Sequence, residues 1–221
     1  MENNVIKGII FDFDGTLVDS VKIWAKIDEE FFKRKCVEPP VNFGKMIELN
    51  TFYQICELVV DYYQWADDPK DIYAEWLEIA RQAYINEVKP KEHIKEYLEK
   101  LKNRGLKLGI ASASLQELIR PCLSTYGLLG FFDVILTTEE INANKDTPDI
   151  YVETASRLGV ERQACVVFED IYLGVKTALD AGFKTAAVKD RYYPEEKVES
   201  MRAIADYFVE DYESAPLFAQ L

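Results

Sequence analysis

Short apolar runs alternate with helical patterns along most of the chain, and this alternation constrains the fold more than any other feature. Five runs rich in Val, Ile, Leu, Phe or Ala predict buried strands: Val5–Phe13, Leu106–Ala111, Val134–Leu136, Cys165–Phe168 and Lys184–Val188. Between these runs, apolar residues at helical spacing predict helices near 94–101, 115–123, 149–158 and 172–181. Strands that alternate with helices form a parallel sheet with helices on both faces, so we predict a Rossmann-like α/β fold.

One long segment breaks this alternation, because residues 18–89 contain helical periods but no convincing strand. Aromatic and aliphatic side chains mark three helices there, and such a stripe is typical of the core of a helical bundle. We therefore predict an α/β core domain formed by residues 1–17 and 90–221, with an inserted α-helical cap domain at 18–89. The two linkers, near 17–20 and 89–90, form a natural hinge between the domains.

The charge balance argues against one class of partner. The chain has 26 Lys and Arg residues against 39 Asp and Glu residues, a net charge of −13. Nucleic acids bind basic surfaces, so we expect no nucleic-acid partner. An anionic small molecule is compatible with this charge where a metal ion or a local lysine reverses the field.

The sequence also lacks the usual signals for membranes and secretion. No run approaches about 18 consecutive apolar residues, and the N-terminal residues lack the basic region and long apolar run of a signal peptide. The four cysteines are widely spaced in apolar neighbourhoods, so we expect buried, reduced thiols at 36, 56, 122 and 165. These features predict a cytoplasmic protein without a membrane partner, and we expect a monomer or a weak homodimer.

The most informative stretch is Asp12-Phe13-Asp14-Gly15-Thr16-Leu17. Asp12 and Asp14 lie two positions apart where a predicted buried strand ends, so their side chains emerge on the same side of the chain. Ligands of open parallel sheets bind beyond the carboxyl ends of the strands, which is where this pair lies. Gly15 allows a sharp turn, and two carboxylates this close need a cation or a shared proton. His93 is the one histidine, so carboxylates rather than histidines must carry the chemistry.

Other predicted strands end in polar groups of complementary types. Ser112 follows the second strand, Lys145 follows the third, and Glu169 and Asp170 end the fourth. Together with Asp12 they supply a nucleophilic carboxylate, a hydroxyl, a cation and oxygen ligands for Mg²⁺, which is the set that phosphoryl transfer needs. Each group alone has a bland explanation as a helix cap or a surface charge, but their combination at strand ends favours a catalytic site.

With these residues in view, the sequence resembles the haloacid dehalogenase superfamily of phosphohydrolases. It is most similar to the members with a helical cap after the first strand, such as phosphoglycolate-phosphatase-like and β-phosphoglucomutase-like enzymes. The resemblance covers essentially the whole chain through four motifs, DFDGTLVDS, IASAS, NKDTPDIY and FEDIYLG. It implies an Mg²⁺-dependent phosphatase that hydrolyses a small phosphorylated metabolite through an aspartyl-phosphate intermediate.

The resemblance also implies a role for each matching residue. Asp12 would be the nucleophile, and Asp14 the general acid and base. Ser112 and Lys145 would hold the transferring phosphoryl group. Mg²⁺ would be bound by Asp12, Glu169, Asp170 and the backbone carbonyl of Asp14.

The chain departs from the family pattern at two positions. Asp146 follows Lys145 where the family usually has proline, and Ile171 follows Asp170 where the family usually has serine or threonine. The second departure removes a helix cap worth about 1 kcal/mol. Neither changes a residue that we expect to touch the reacting group.

Substrate contacts are expected from the cap. The best candidates are Gly44 and Lys45 in a predicted loop at 42–45, and Trp24 on the first cap helix. A solvated lysine or a packing tryptophan would explain the same residues equally well.

Residue types separate four alternative functions. The family's dehalogenases and phosphonatases lack an acid at the position of Asp14, so both are disfavoured. A sugar-phosphate mutase of the β-phosphoglucomutase type is the main alternative, but it has a histidine where this chain has Trp24. A non-catalytic phospholigand-binding protein would tolerate loss of Asp12 or Asp14, and both are present.

Overall fold

The protein folds around a six-stranded sheet in which every neighbouring pair is parallel. The computed structural model describes residues 5–218, apart from the side chains of Glu48 and Leu49. The strand order is β3-β2-β1-β4-β5-β6. In chain order the strands are β1 (Gly8–Phe11), β2 (Lys107–Ser112), β3 (Val134–Thr137), β4 (Cys165–Glu169), β5 (Lys184–Val188) and β6 (Tyr207–Val209).

The five predicted strands are confirmed, with small shifts at their ends. β1 is shorter than the predicted run Val5–Phe13, and β6 was not predicted. β6 is a three-residue strand at the sheet edge, where Tyr207 and Phe208 are only half-buried. A run that short carries too little periodicity to separate a strand from a loop.

Helices cover both faces of the sheet, as the alternation of elements predicts. Side chains alternate between the faces, so Ile9 and Phe11 pack on one side while Ile10 packs on the other. Tyr97 of α5 belongs to the first cluster and Tyr151 of α8 to the second. The helices outside the insert are α5 (Ile94–Asn103), α6 (Gln116–Thr125), α7 (Thr138–Ile141), α8 (Asp149–Leu158), α9 (Tyr172–Asp180) and α10 (Glu195–Arg202).

Four helices lie between β1 and α5, and we call residues 21–86 the helical insert. They are α1 (Val21–Arg34), α2 (Phe43–Leu49), α3 (Phe52–Tyr63) and α4 (Pro69–Asn86). Thr51 begins α3 with a reciprocal cap to Gln54, and Asp68 caps α4 before a proline at its first position. The apolar stripes meet in an aromatic core in which Phe31 and Trp76 stack with ring centroids 3.9 Å apart.

The two linkers of the helical insert run side by side. Val18 and Pro90 form an antiparallel bridge. The backbone N–H of Asp19 donates to the Lys89 carbonyl at 2.8 Å, and the N–H of Lys91 donates to the Leu17 carbonyl at 2.9 Å. The linkers are therefore joined to each other as well as to the sheet.

Two local predictions are wrong. Residues 42–45 are not a loop: Asn42 precedes α2, and Phe43, Gly44 and Lys45 form its first turn. Cys36 is exposed, because it lies just after the end of α1 at φ +55° rather than in an apolar stripe. The other three cysteines are buried and free, as expected.

A helix that crosses a bilayer needs about 20 consecutive, mostly apolar residues. None of the helices described within residues 5–218 could cross a membrane.

Candidate active site

Asp12 lies at the first position after β1 and is still held by the sheet. Its backbone N–H donates to the carbonyl of Phe168 in the neighbouring strand β4 at 2.9 Å. The side chain is 6% exposed, which leaves it accessible only from the sheet edge. β1 and β4 are adjacent, so the acids that follow them converge at this edge.

Gly15 makes that convergence possible. Its φ is +75°, a conformation that favours glycine. A Cβ at this position would lie 2.0 Å from Oδ2 of Asp170. No side chain can be added there without displacing Asp170, so the turn after Asp14 and the acid after β4 depend on each other.

Lys145 bridges two of the acids. Its Nζ lies 2.6 Å from Oδ1 of Asp12 and donates to Oε1 of Glu169 at 2.6 Å, and the Tyr151 hydroxyl donates to the same Glu169 oxygen at 2.7 Å. Burial lowers the pKa of Lys145, but the two adjacent carboxylates outweigh burial and raise the pKa above its ordinary value. Lys145 therefore stays charged at every physiological pH.

Three buried acids form a cluster that can hold a cation. Asp12, Glu169 and Asp170 each offer an oxygen, and these oxygens lie within 4.8 Å of one another. Burial, followed by the charges of Asp12 and Glu169, raises the pKa of Asp170 well above its ordinary value. Lys145 neutralises only part of this charge, so the cluster favours a further cation.

The chemistry of the cluster suits a hard divalent ion. Oε2 of Glu169 is buried and has no hydrogen-bond partner among the described residues. Gly174 lies against the same carboxylate, since a Cβ there would be 2.5 Å from Cδ of Glu169. The donors are carboxylate oxygens without a cysteine or histidine, a set that fits Mg²⁺ better than a softer metal.

The carboxyl group of Asp14 interacts with side chains of the helical insert and of the first linker. The hydroxyl of Tyr84, on α4 of the helical insert, donates to Oδ1 of Asp14. Burial raises the pKa of Asp14, the side chains of Ser20 and Tyr84 offset part of this rise, and the charge of Asp12 adds to it. A carboxyl group with a raised pKa is suited to donate a proton near neutral pH.

Ser112 ends β2 at the same edge of the sheet. It is buried, and its Oγ accepts the backbone N–H of Ser114 at 3.0 Å. Both serines line a cavity that also contacts Asp12, Asp14 and Lys145. Six of the predicted site residues line this cavity, and Glu169 contacts one of them, Lys145, at 2.6 Å. The six are Asp12, Asp14, Trp24, Ser112, Lys145 and Asp170.

The cavity measures about 330 Å³ and lies between the sheet edge and the helical insert. That volume is at the small end of ligand sites and fits a metabolite. Residues of the helical insert supply a largely apolar wall: Val21, Trp24, Asp28, Phe43, Ile47, Asn50, Phe52, Ile55 and Trp76.

The predicted substrate contacts from the helical insert divide into two groups. Trp24 lines the cavity, as expected. Gly44 and Lys45 are exposed and are not among the lining residues, whereas Phe43 and Ile47 of the same helix are. The cause is the α2 helix itself, which turns Phe43 and Ile47, four positions apart, towards the cavity. A substrate role for Gly44 and Lys45 stays a prediction.

The two departures from the family pattern lie in different surroundings. Asp146 is exposed, although Lys145 beside it is buried. Ile171 begins α9 without a side-chain cap, as its residue type predicts, and also lines the cavity. The second departure therefore adds apolar surface to the cavity, which the sequence reasoning missed.

Sequence reasoning also missed three polar residues near the site. Tyr84, Tyr193 and Asp28 lie outside the four sequence motifs. The hydroxyl of Tyr193 interacts with Asp170 beside the acid cluster. Burial and this acid raise the pKa of Tyr193. Asp28 carried a readable signal, because it is an acid four residues after Trp24 on the apolar side of α1.

The known proteins similar to this chain include several phosphatases. Residues 9–188 match the model of the family described as haloacid dehalogenase-like hydrolase. The phosphoglycolate phosphatase of Aquifex aeolicus is 30% identical over 184 residues, which cover 80% of this chain and 82% of that protein. The fructose-1-phosphate phosphatase YqaB of Escherichia coli is 27% identical over 184 residues, which cover 82% of this chain and 96% of that protein.

A solved structure supports the fold over nearly the whole chain. The β-phosphoglucomutase of Clostridium difficile superposes with a TM-score of 0.75 at 19% identity, covering 94% of this chain and 92% of that one. At this identity the likeness concerns the fold alone.

Proposed function

The chain belongs to the haloacid dehalogenase-like hydrolases and is a phosphatase of that family, and from this premise we propose that it hydrolyses a small phosphorylated metabolite with Mg²⁺ through an aspartyl-phosphate intermediate. The observation that carries the proposal is the contact of Asp12 with Lys145 beside the acid cluster. It joins a nucleophile, a fixed cation and a cation site within one small cavity.

Asp12, Glu169, Asp170 and the backbone carbonyl of Asp14 would hold the ion. When bound, Mg²⁺ would offset the negative charge of the phosphate and of the attacking carboxylate. The buried, unpartnered oxygen of Glu169 and the cluster's excess negative charge support this assignment.

Asp12 would attack the phosphorus atom with one carboxylate oxygen. A bond forms between that oxygen and phosphorus, while the bond from phosphorus to the substrate's ester oxygen breaks. Asp14 would give its proton to the departing oxygen, so the alcohol leaves neutral. The raised pKa of Asp14 supports this role, because it keeps a larger fraction of the carboxyl group protonated.

The second half-reaction would use the same groups in reverse. Asp14, now ionised, removes a proton from water, and the water oxygen forms a bond to phosphorus. The bond to Asp12 breaks and inorganic phosphate leaves. Tyr84 donates to Asp14, so it would stabilise the ionised form that this step needs.

Lys145 and Ser112 would hold the phosphoryl group throughout. Lys145 lies 2.6 Å from Asp12, so it would both fix the nucleophile and bind an equatorial phosphate oxygen. We further propose that residues 18–89 act as a cap that excludes water and selects the leaving group. The cavity wall that the helical insert supplies supports this role.

The test is phosphate release from a panel of phosphorylated metabolites with Mg²⁺ and with excess EDTA. We expect turnover with Mg²⁺, loss of it in EDTA and recovery when Mg²⁺ is restored. Undiminished turnover in EDTA would contradict the metal assignment. If Mg²⁺-dependent phosphate release is absent for every ester, including activated aryl phosphates, the hydrolase assignment itself fails.

A further inference from the structure

The wall of the cavity that faces the acid cluster is aromatic. Four rings of the helical insert line it: Trp24, Phe43, Phe52 and Trp76. They form a connected series, with ring centroids 6.1 Å apart between Trp24 and Phe52, 5.6 Å between Phe52 and Trp76, and 5.9 Å between Trp76 and Phe43. Phe31 stacks on Trp76 at 3.9 Å, so Trp24, Phe43 and Phe52 are the partly exposed rings of this wall.

A single carboxylate interrupts this wall. Asp28 lies on α1 one turn beyond Trp24, is half-buried and lines the cavity. Burial raises the pKa of Asp28 to about 7, and the nearby indole N–H of Trp76 offsets only part of that rise. No lysine or arginine among the described residues shifts the pKa of Asp28. The acid is therefore desolvated without a cation to balance it, which costs free energy unless a ligand supplies one.

The cavity offers nothing comparable to an anion. Lys145 is the one cationic side chain among the described residues that line it. That lysine already contacts Asp12 and Glu169 and lies where the phosphoryl group would bind. A substrate with a second phosphate or a carboxylate would place that group against aromatic rings and Asp28. The cavity therefore disfavours bisphosphates and phosphorylated carboxylic acids.

We propose that the substrate is a phosphate monoester whose leaving group carries an ammonium ion, bound by Asp28 and the surrounding aromatic rings. This assignment rests on the proposed phosphatase function and adds the class of substrate to it. The carboxylate supplies the counter-charge, and the rings supply cation–π contacts, each worth about 0.5–2 kcal/mol depending on desolvation. Aromatic walls of this kind are suited to methylated ammonium groups, which lose less hydration than a primary amine.

An alcohol hydroxyl would complement the site less well. It could donate one hydrogen bond to Asp28 but would leave the buried negative charge unbalanced. A purely apolar leaving group would suit the rings and leave the carboxylate of Asp28 without a cationic partner. The positive charge is thus the property that distinguishes the proposed substrate class from both.

The decisive comparison uses two esters of the same shape. In 3,3-dimethylbutyl phosphate a carbon replaces the quaternary nitrogen of phosphocholine, so the pair differs in the positive charge. With Mg²⁺ we expect kcat/KM to be at least about tenfold higher for phosphocholine, which corresponds to roughly 1.4 kcal/mol. Longer ω-trimethylammonium alkyl phosphates and their neutral isosteres extend the comparison to other distances between the two charges.

The variant Asp28→Asn tests whether Asp28 recognises the positive charge of the substrate. The substitution keeps the shape and removes the counter-charge, so the ratio of the two kcat/KM values should fall towards one. Glu57→Gln is the matched control, since Glu57 is an exposed acid on α3 of the same helical insert. That variant should retain the ratio, which excludes a general effect of net charge.

A binding measurement makes the test independent of turnover. Asp12→Asn lacks the nucleophile, and calorimetric titration of this variant with each ester compares their affinities directly. Equal affinities and equal kcat/KM across every isosteric pair would overturn the proposal, and so would a charge preference that survives in Asp28→Asn. If aryl phosphates are hydrolysed with Mg²⁺ and the preference is absent, the substrate class fails while the phosphatase function stands.

Discussion

The two sides of the cavity differ in how the charge of their buried acids is neutralised. At the sheet edge the acids are dense, and Lys145 contacts two of them while Gly15 and Gly174 leave them space. On the helical insert a single acid, Asp28, lies among aromatic rings without a cationic partner. At the sheet edge Lys145 offsets part of the negative charge, whereas on the helical insert the described residues offer Asp28 only the indole N–H of Trp76.

This difference indicates a division of labour. Phosphoryl transfer needs several charges at fixed distances, and a rigid parallel sheet supplies them from the ends of adjacent strands. Recognition of the leaving group needs a surface that can vary without disturbing those distances. The helical insert supplies the other wall of the cavity, and Trp76 there both lines the cavity and stacks on Phe31 in the aromatic core.

The largest expected effect is the loss of activity when the proposed nucleophile is removed. Asp12→Asn should lower kcat by about 10⁴-fold or more for every ester, because the attacking carboxylate oxygen is lost. The loss should be similar for all leaving groups, since each of them departs in the step that Asp12 carries out. Steady-state phosphate release gives the loss, and a circular dichroism spectrum like that of the unmodified protein would show that the fold is retained.

Asp14→Asn should produce a loss that depends on the leaving group. Alkyl phosphates need a proton on the departing oxygen, so their turnover should fall by about 10²- to 10⁴-fold. Aryl phosphates leave without much protonation and should still phosphorylate Asp12, giving a smaller loss in the burst phase. Equal losses for alkyl and aryl esters would show that Asp14 is not the proton donor.

The fate of the intermediate tests the helical insert directly. The resemblance implies a histidine of β-phosphoglucomutase-like enzymes at the position of Trp24. Trp24 contacts the rings of Phe52 and Tyr84, so it can pack but cannot relay a proton. We expect free phosphate to exceed glucose 6-phosphate when β-glucose 1-phosphate, a trace of the 1,6-bisphosphate and Mg²⁺ are supplied. Faster formation of glucose 6-phosphate would favour the mutase instead.

The smallest predicted effect is on stability. Burial raises the pKa of Asp28 to about 7 in the folded protein. The free energy of unfolding therefore decreases as the pH rises from about 4 to 7. Asp28→Asn removes that loss, so its gain in unfolding free energy should be about 1 kcal/mol larger at pH 8 than at pH 5. Urea unfolding at both pH values measures the difference. An identical gain for Glu57→Gln would show that the effect does not belong to Asp28.

The sequence predicts the sheet side of the cavity better than the helical side. The polar residues on the sheet side come at or after the ends of apolar strands, and the ends of parallel strands meet at one edge of a sheet. Periodicity and topology alone therefore predict the proximity of Asp12, Asp14, Ser112, Lys145, Glu169 and Asp170. On the helical insert, spacing identifies a buried stripe but does not say which members face a cavity rather than a neighbouring helix. Asp28 and Tyr84 belong to such stripes, and their contacts depend on how helices pack.

Errors at the level of single residues have similar causes. The first turn of α2 contains Gly44, and its polar neighbours resemble a loop because glycine and asparagine weaken the helical signal. Cys36 follows an apolar stripe in sequence but lies after the helix has ended. Neither position can be placed until the end of the preceding element is known.

The pairing of the two linkers has a mechanical consequence. Two separate tethers would let the helical insert swing, twist and slide, but the Val18–Pro90 bridge and its flanking hydrogen bonds join them into one short ribbon. Lys91 contacts Asp19 of the other linker at 3.0 Å and Asp190, which follows β5, at 2.7 Å. Two paired strands bend together more readily than they slide past each other. We therefore expect any motion of the helical insert to be a rotation about this ribbon, which would keep the aromatic wall in the same register above Asp12.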